Sequence, residues 1–587
     1  MKRLINIFLL AGALAATAQD LSTEITVDRT IVPAERAASR LTSVHPQILS
    51  QPVAATRIDM AEYDAPGSVT RSARVLAPAA WADTFALSPY RGYVAGGYFP
   101  AYNLALSAGY RILQSADTRL GVWLQFDGLS YKGAPDRDEP DSKLRFKNNT
   151  AAAGVDFDHR FGRAGVLTAG ASYSYGNIVA PTDRCVGNHD ISMADAHATW
   201  YGRAGRIGYH AGARLRTFGV HEYCAGDYDL GWVPFPPGTT VRKKGTVVNY
   251  EFAAGVTARI GRKASGQRIG LELKADMLSR PDATAISVDE SHPYGVLRVF
   301  APAPGGTLGV ISATPYYTLG QSGRGLNLRL GARVDISTGG SGKKFHIAPA
   351  AMASYSLDGF SVYARAGGGE VLNTQRSLYD ITPFFPVGMQ QQRSHVPLTV
   401  DGGVCIGPFA GIGVEIFGGW ARANDWLMPA MAGMNFSSAG TPLFLPVDIK
   451  GAHAGVRASY DYRSIVHVNA SVEFAPQKEH SGYYLWRDRA KMAVKAEATA
   501  RPISRLELKA SYELRTDRAA YGYYATGEAQ RLDLGNAGLL GFGAVYSITP
   551  ALDVFARGEN LLACKYLVVP GVPAQGVHGL LGASFRF

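Results

Sequence analysis

The sequence lacks the long apolar segments that helical membrane proteins require. Of its 587 residues, 47% are hydrophobic and 18% are charged. We find no uninterrupted run of about 20 apolar residues, which is the length that a membrane-spanning helix needs. A bundle of membrane helices is therefore excluded, and the chain is also too long for one ordinary soluble domain.

Motifs of known catalytic or cofactor sites are also missing. The sequence has no phosphate-binding P-loop, no His-Glu-x-x-His pair and no Gly-x-Ser-x-Gly nucleophile motif. Its thirteen histidines are scattered, and four cysteines are few for a disulfide-built extracellular scaffold. We therefore predict no enzyme activity, no catalytic residues, no cofactor and no metal site.

The first residues have the features of an export signal. Lys2 and Arg3 precede a short apolar stretch, and Ala16-Thr17-Ala18 resembles a signal-peptidase site. Residues 1–18 are thus predicted to be a signal peptide, in preference to a buried N-terminal helix. The net charge of +11 falls to +9 without the two basic residues, 11 minus 2. In an exported chain we assign this charge to a polar lumen and to loops, and we predict no nucleic-acid partner.

Strict alternation of polar and apolar residues is the main pattern that is present. From Arg505 to Arg515 the odd positions are polar, and the even positions, such as Leu508, are apolar or aromatic. Similar alternation recurs at 491–501, 325–335 and 268–276. These runs reach about 11 residues, enough for a tilted strand to cross a bilayer, whereas strands of soluble sandwiches average about 5 to 6. The pattern favours strands with one face toward lipid.

Short and long connections alternate along the chain as well. Tight turns are predicted near residues 115–117, 161–164, 357–359 and 548–550, and long loops at 224–244, 279–306, 370–395 and 424–446. Bacterial outer-membrane barrels have short periplasmic turns and long outer loops. We predict an all-β, transmembrane antiparallel barrel of about 22 strands over 92–587, built from one chain in outer-membrane lipid. Residues 19–91 are predicted to be an extended periplasmic or lumenal segment.

The last strand carries the sharpest local motif. Phe587, Phe585 and Leu581 alternate with polar or small residues, and Gly582 occupies a position where such strands usually have glycine. Leu580 departs from the pattern, because a polar residue is usual there. The strand resembles the signal that outer-membrane barrels present to the barrel-assembly machinery. We predict that Gly582, Phe585 and Phe587 form this barrel-closing signal.

The last forty residues resemble the C-terminal end of TonB-dependent outer-membrane receptors. Arg557-x-Glu559-Asn560-Leu561 precedes the pair Lys565-Tyr566, a Gly571-x-Pro573 loop and the final Phe strand. The resemblance implies a 22-stranded receptor barrel with a plug in the lumen. Only 73 residues, 91 minus 18, precede the barrel, about half of what a plug domain of that family needs. The resemblance together with this short N-terminal segment therefore implies the receptor barrel without a standard plug.

Other features of the chain leave alternatives open. Glu24-Ile25-Thr26-Val27 could pair as an added strand with the energy-coupling protein TonB, or could belong to an extended arm. Cys185 and Cys224 fall in segments assigned to neighbouring outer loops, so a disulfide between them is a candidate. The densest group of histidines and aspartates is interpreted as a solvated outer loop rather than a metal site; its members are Asp183, His189, Asp190, Asp195 and His197.

Aromatic side chains are concentrated in the predicted loops. They could stack on sugars or anchor protein partners, or they could belong to the interfacial aromatic girdle. Examples are Trp232, Phe384, Trp426, Tyr483, Trp486 and Tyr521.

Three functions are consistent with these features. The first is a receptor that transports a bulky nutrient. The second is a plugless structural or assembly partner of other envelope proteins, for example of a periplasmic or surface lipoprotein. The third, an outer-membrane enzyme, lacks any supporting set of residues. Because an open barrel of this width would leak, we also expect the N-terminal segment, inward-folded outer loops such as 370–395, or a partner to fill the lumen.

The closing strand provides a direct test. Deletion of Phe587, or the substitution Phe587→Asp, should leave unfolded chain in the periplasm, because this strand closes the barrel. Heat-modifiable migration and membrane fractionation measure the folded fraction. Normal surface levels of these variants would contradict the assigned register.

Overall fold

The computed structural model describes residues 89–587 with short gaps. The gaps are residues 101–102, 135–140, 142, 183–184, 226–240, 261–265, 281–282, 290–295, 304–305, 321–324, 341–342, 382–392, 435–440, 464, 476–489 and 525–528. The predicted signal peptide and most of the segment 19–91 lie outside the described residues, and so do Glu24, Ile25, Thr26 and Val27. The boundaries proposed for these segments remain predictions.

Antiparallel strands account for nearly all of the described chain. They are β1 (Gly92–Phe99), β2 (Asn103–Gln114), β3 (Thr118–Gly133), β4 (Leu144–Arg160), β5 (Val166–Thr182), β6 (Cys185–Ala204), β7 (Ile207–Ala225), β8 (Val241–Arg259), β9 (Arg268–Arg280), β10 (Ala283–Asp289), β11 (Val296–Ala303), β12 (Gly306–Leu319), β13 (Gly325–Thr338), β14 (Phe345–Pro349), β15 (Ala351–Leu357), β16 (Phe360–Leu372), β17 (Arg393–Phe409), β18 (Ile412–Met434), β19 (Thr441–Tyr462), β20 (Val466–Phe474), β21 (Met492–Ile503), β22 (Leu506–Thr516), β23 (Ala519–Tyr524), β24 (Ala529–Asp533), β25 (Ala537–Ser547), β26 (Leu552–Glu559), β27 (Leu567–Val569), β28 (Val572–Pro573) and β29 (His578–Arg586).

The barrel is closed and has 22 strands, as the alternation predicted. β14 and β15 both pair with β13 and together make one crossing. β10–β11, β23–β24 and β27–β28 are hairpins of the outer loops. A single short helix, α1 (Gln375–Ile381), and one 3₁₀ turn (Gly162–Ala164) complete the described elements. No helix among the described residues is long and apolar enough to cross a membrane.

Closure depends on the pairing of the first strand with the last. Tyr93 lies opposite Arg586 and Tyr98 opposite Leu581 in the register of β1 and β29. The Gly92 N–H donates to the Phe587 carbonyl at 2.8 Å, and the Phe587 N–H donates back to the Gly92 carbonyl at 3.0 Å. No edge strand is left unpaired toward lipid at this seam, which is the condition for a sheet in a bilayer.

The two faces of each strand differ in polarity. Leu124 on β3 is 61% exposed and Ile347 on β14 is 62% exposed, because their face points to lipid rather than into a protein core. Their sequence neighbours Gln125 and His346 point into the lumen, where Gln125 donates to Asp127 at 2.7 Å. The lumenal face is therefore the polar one, as the alternation predicted.

Connections at the two rims differ as expected, with two corrections. The tight turns after β2, β4, β15 and β25 lie where they were predicted. The prediction of a long loop at 424–446 is wrong. β18 and β19 continue through most of this segment and stay paired up to Ala432 and Thr441. The predicted outer loop at 183–197 is also wrong, since 185–204 form β6. In both places the partner strand satisfies the backbone over its whole length, which local residue composition does not reveal.

The assignment of faces can be tested on β3. Leu124→Arg places a charge in lipid and should lower the free energy of unfolding by about 2–4 kcal/mol near the bilayer midplane. Gln125→Arg places the same side chain in the lumen and should change it by less than about 1 kcal/mol. Urea titration of the protein folded in lipid vesicles measures both values. A larger loss for Gln125→Arg would mean that the faces are reversed.

Candidate functional site

The lumen of the barrel contains a belt of charged side chains. Arg214 on β7 binds both carboxylate oxygens of Asp195 on β6, at 2.6 Å for the shortest contact. Arg216 donates to the same carboxylate at 3.0 Å and to Glu251 on β8 at 2.6 Å. The two arginines thus connect three neighbouring strands. Asp195, which the sequence placed in an outer loop, is a lumenal member of this belt.

The belt continues around the barrel wall. Further pairs on the lumenal face are Arg333–Asp335 (2.7 Å), Arg365–Asp401 (3.7 Å), Arg457–Glu415 (2.6 Å), Arg501–Glu507 (2.7 Å), Arg515–Glu513 (2.6 Å) and Arg586–Asp553 (2.6 Å). Charges of both signs therefore lie side by side on the lumen wall. Such a surface favours hydrated, polar solutes over apolar ones.

An apolar layer lies in the lumen toward the outer rim. It is formed by lumenal side chains near the outer ends of the strands together with parts of two loops. Its buried members are Phe146, Ile178, Ile191, Met193, Phe218, Val220, Val247, Leu278, Leu308, Val310, Leu372, Leu378, Leu427, Val569 and Val572. We call this layer the outer cap. The outer cap is apolar, whereas the lumenal face of the strands below it is polar.

Helix α1 brings the loop between β16 and β17 into the outer cap. The Thr374 hydroxyl accepts a hydrogen bond from the Ser377 N–H at 3.1 Å and so caps the N-terminus of the helix. Leu378 is 4% exposed within the cap. Tyr379 packs edge-on against Phe218 of β7, with ring centroids 5.8 Å apart. The described part of this loop therefore packs inward against the barrel wall, and which element fills the lumen stays a prediction.

The base of this loop is fixed by buried polar contacts. Asn373 donates to the Ser394 hydroxyl at 2.8 Å, and that hydroxyl donates to the Asp425 carbonyl at 2.8 Å. Asn373 and Ser394 are 7% and 0% exposed. Each buried hydrogen bond of this kind contributes about 0.5–1.5 kcal/mol. The contacts anchor both ends of the loop to β18 while α1 itself is held mainly by apolar packing.

The C-terminal motif of the sequence forms the second loop contribution to the cap. Arg518 donates to the carbonyls of Leu567 and Val568, each at 2.8 Å, and holds the β27–β28 hairpin. Burial raises the pKa of Tyr566 beside it to about 12. Asn560, with φ of 49°, accepts the Cys564 N–H at 2.9 Å and donates to the Gln575 carbonyl at 2.9 Å. These contacts explain the Asn560 and Tyr566 positions of the motif as loop structure.

A cluster of three side chains near the outer rim was missed by sequence analysis. His346, Glu370 and His395 place their donor atoms within 4.8 Å of one another, the one such group of histidine, cysteine and acidic residues within the described part of the chain. They lie 24 and 25 residues apart, 370 minus 346 and 395 minus 370, on β14, β16 and β17. No local spacing could reveal them, because only the strand register brings them together.

The predicted site residues lie as follows. Phe585 and Phe587 are 48% and 52% exposed on the lipid face. A side chain on Gly582 would meet the Gly96 carbonyl oxygen at 2.1 Å, so the seam has room only for glycine there. Their role as an assembly signal remains a prediction.

The cysteines of the chain have separate environments. In the register of β6 and β7, Cys224 lies opposite Gly187, two residues from Cys185. The side chains of Cys185 and Cys224 lie outside the described residues, and their disulfide stays a prediction. Cys405 and Cys564 are free.

The aromatic residues singled out in the loops lie mostly outside the described residues. This applies to Trp232, Phe384, Tyr483, Trp486 and the side chain of Tyr521. Trp426 is described and is half-buried on β18.

Comparisons with known proteins give matches only among solved structures. No family model and no curated protein matches the chain. A mutant of the ferric enterobactin receptor PfeA from Pseudomonas aeruginosa superimposes with a TM-score of 0.62, at 11% identity, over 85% of this chain and 80% of the receptor. FpvA from the same organism, bound to a heterologous pyoverdine, gives 0.60 at 12% identity, over 85% and 72%. The siderophore receptor PirA from Acinetobacter baumannii gives 0.62 at 8% identity, over 85% and 80%.

The fold is that of these siderophore receptors. The fold that the C-terminal resemblance implied is therefore confirmed. The apolar outer face of the barrel fits an outer-membrane protein. Identities of 8 to 12% establish the fold and do not assign a ligand to this chain.

The outer cap of this receptor-like barrel can be tested through α1. Leu378→Asp places a charge in the apolar layer and should release the helix, so single-channel conductance in planar bilayers should rise. Leu378→Met keeps the volume and apolar character and should conduct like the parent protein. Equal conductance of all three proteins would show that the cap does not limit passage through the lumen.

Proposed function

We propose that the chain is an outer-membrane receptor that takes up a bulky, polar nutrient through its barrel. The observation that carries this proposal is the two-layer lumen, in which a charged belt lies beneath an apolar cap. A cap built partly from loops can move without breaking the strand pairing of the wall. The lumen can therefore be closed at rest and opened for a solute.

The charged belt supports a hydrated substrate. Among its spaces is a cavity of about 690 Å³ between β21, β22, β25, β26 and β29, lined by charged residues such as Arg501, Glu507 and Arg557. This volume is in the range of sites that bind small molecules. Siderophores are the ligands named for PfeA, FpvA and PirA, and a polar chelate of similar size fits the chemistry of this lining.

Energy coupling is part of the same proposal. Opening of a packed cap requires work, and a β-branched stretch at Glu24–Val27 is suited to pair with a periplasmic coupling protein by adding a strand. The proposal thus assigns TonB as partner through Glu24, Ile25, Thr26 and Val27. The receptor fold supports transport rather than catalysis as the activity.

The proposal can be tested by growth on single limiting nutrients. Deletion of the gene should abolish growth on at least one of ferric catecholates, ferric hydroxamates, cobalamin or oligosaccharides, and the intact gene should restore it. A variant that lacks Glu24–Val27 should reach the surface at normal levels but fail to restore growth. A variant in which all four residues are replaced by β-branched residues should restore growth, because strand addition uses backbone hydrogen bonds rather than particular side chains.

Two results would contradict uptake. The first is normal growth of the deletion strain on every nutrient. The second is a stoichiometric envelope protein that co-purifies with the barrel from gently solubilised membranes and is lost from the membrane in its absence. The latter result would favour a structural or assembly partner instead.

A further inference from the structure

Three donor side chains converge at one point of the lumenal wall near the outer rim. Glu370 lies directly opposite His395 in the register of β16 and β17, and His346 lies on β14 beside them. Glu370 Oε1 is 3.1 Å from His346 Nε2 and 3.0 Å from His395 Nδ1. The side chains are 12%, 4% and 20% exposed for His346, Glu370 and His395. The three residues are thus largely withdrawn from solvent.

Hydrogen bonding within the protein leaves one nitrogen of this cluster without a partner. His395 Nδ1 is buried and makes no hydrogen bond, although it lies 3.0 Å from the Glu370 carboxylate. The imidazole rings of His346 and His395 are tilted by 39° to each other, with centroids 4.0 Å apart. Two ring nitrogens and one carboxylate oxygen thus converge in a largely buried place, and one of the two nitrogens has no partner within the protein.

The backbone around Glu370 is held in place independently of the histidines. The Asp335 carboxylate accepts the Glu370 N–H at 2.7 Å, and Arg333 donates to the Glu370 carbonyl at 2.9 Å. Arg333 and Asp335 also form an ion pair at 2.7 Å, so the charge of Arg333 is compensated. A bulge between Gly367 and Gly369 turns the strand at this point. Gly369 has φ of 127°, and a side chain there would lie 2.6 Å from the Asp335 carboxylate.

The three donor atoms of this cluster have the chemistry and the spacing of a metal site. Two nitrogen ligands and one carboxylate oxygen are a common donor set of Zn²⁺, with distances of about 2.0–2.2 Å to the ion. Two such ligands of a tetrahedral ion are about 3.3 Å apart, close to the separations of 3.0 and 3.1 Å found here. The Lys343 carbonyl oxygen lies 3.1 Å from His346 Nε2, within hydrogen-bond distance, and a bound ion would replace this contact.

We propose that His346, Glu370 and His395 bind a divalent transition-metal ion, with Zn²⁺ as the ion of choice. Glu370 and His395 stand at the two ends of the segment that carries α1, and His346 belongs to the neighbouring wall. The ion therefore ties both ends of the cap loop to the barrel. Hard cations such as Mg²⁺ and Ca²⁺ prefer all-oxygen sites and should not compete.

The experiment measures Zn²⁺ binding by the purified full chain, made without a histidine tag, in detergent. The stoichiometry after dialysis, from elemental analysis, should fall by one ion per chain in His346→Gln, Glu370→Gln and His395→Gln. Because loss even of residues that only orient ligands lowers metal affinity about 10- to 100-fold, loss of a ligand should lower it by at least about 100-fold. An excess of Mg²⁺ should leave the parent protein's binding unchanged.

His210→Gln is the matched control. This histidine also faces a lumenal carboxylate, with Nε2 3.2 Å from Glu272. It does not belong to a three-donor group within the described residues. The control should bind as much Zn²⁺ as the parent protein.

Folding is checked by heat-modifiable migration. If a cluster variant fails to fold, X-ray absorption of the parent protein with one equivalent of Zn²⁺ decides the question. Two imidazole ligands and a carboxylate would support the site. Unchanged stoichiometry in the folded variants, or a first shell with fewer than two imidazoles, would overturn it. The measurement uses purified protein, so its outcome is independent of whether the barrel takes up a nutrient.

Discussion

Satisfaction of backbone hydrogen bonds in lipid is the constraint on which the rest of this structure depends. Every N–H and C=O of a strand at the bilayer core must find a partner strand, because no water is there to replace it. The pairing of β1 with β29 meets this demand at the seam, and Gly582 lets the two backbones approach closely. The wall is then fixed, and all variation that bears on function is left to the lumenal face and the outer loops.

The lumenal face divides into two layers with different physical roles. The charged belt contains ion pairs such as Asp195 with Arg214, so it offers many hydrogen-bonding groups. The outer cap is apolar and contains Leu378 and Val569 from loops that return into the barrel. An apolar layer thus lies toward the outer rim, and a polar lining lies below it. This order of layers supports the proposed uptake of a polar solute.

The His346–Glu370–His395 cluster connects these layers to the loop that carries α1. The backbone of Glu370 is held by the wall through Arg333 and Asp335, and Glu370 and His395 flank the loop. An ion at this place would couple the ends of the loop to each other. The receptors PfeA and FpvA, which share this fold, bind iron that is held by a chelating ligand. The cluster proposed here would instead hold a metal ion directly by protein side chains.

The sequence by itself determined the barrel, its strand number, its two faces and the position of the closing strand. These follow from an alternation of period two, which a strand converts directly into opposite faces, as at Leu124 and Gln125. Only the tertiary structure decided which lumenal residues meet. The proposed metal site joins three strands whose ligands lie 24 and 25 residues apart, 370 minus 346 and 395 minus 370. Asp195 was expected in a loop but lies in the lumen, because β6 pairs over its full length. Register and closure bring such residues together, and neither is encoded in any local window of the chain.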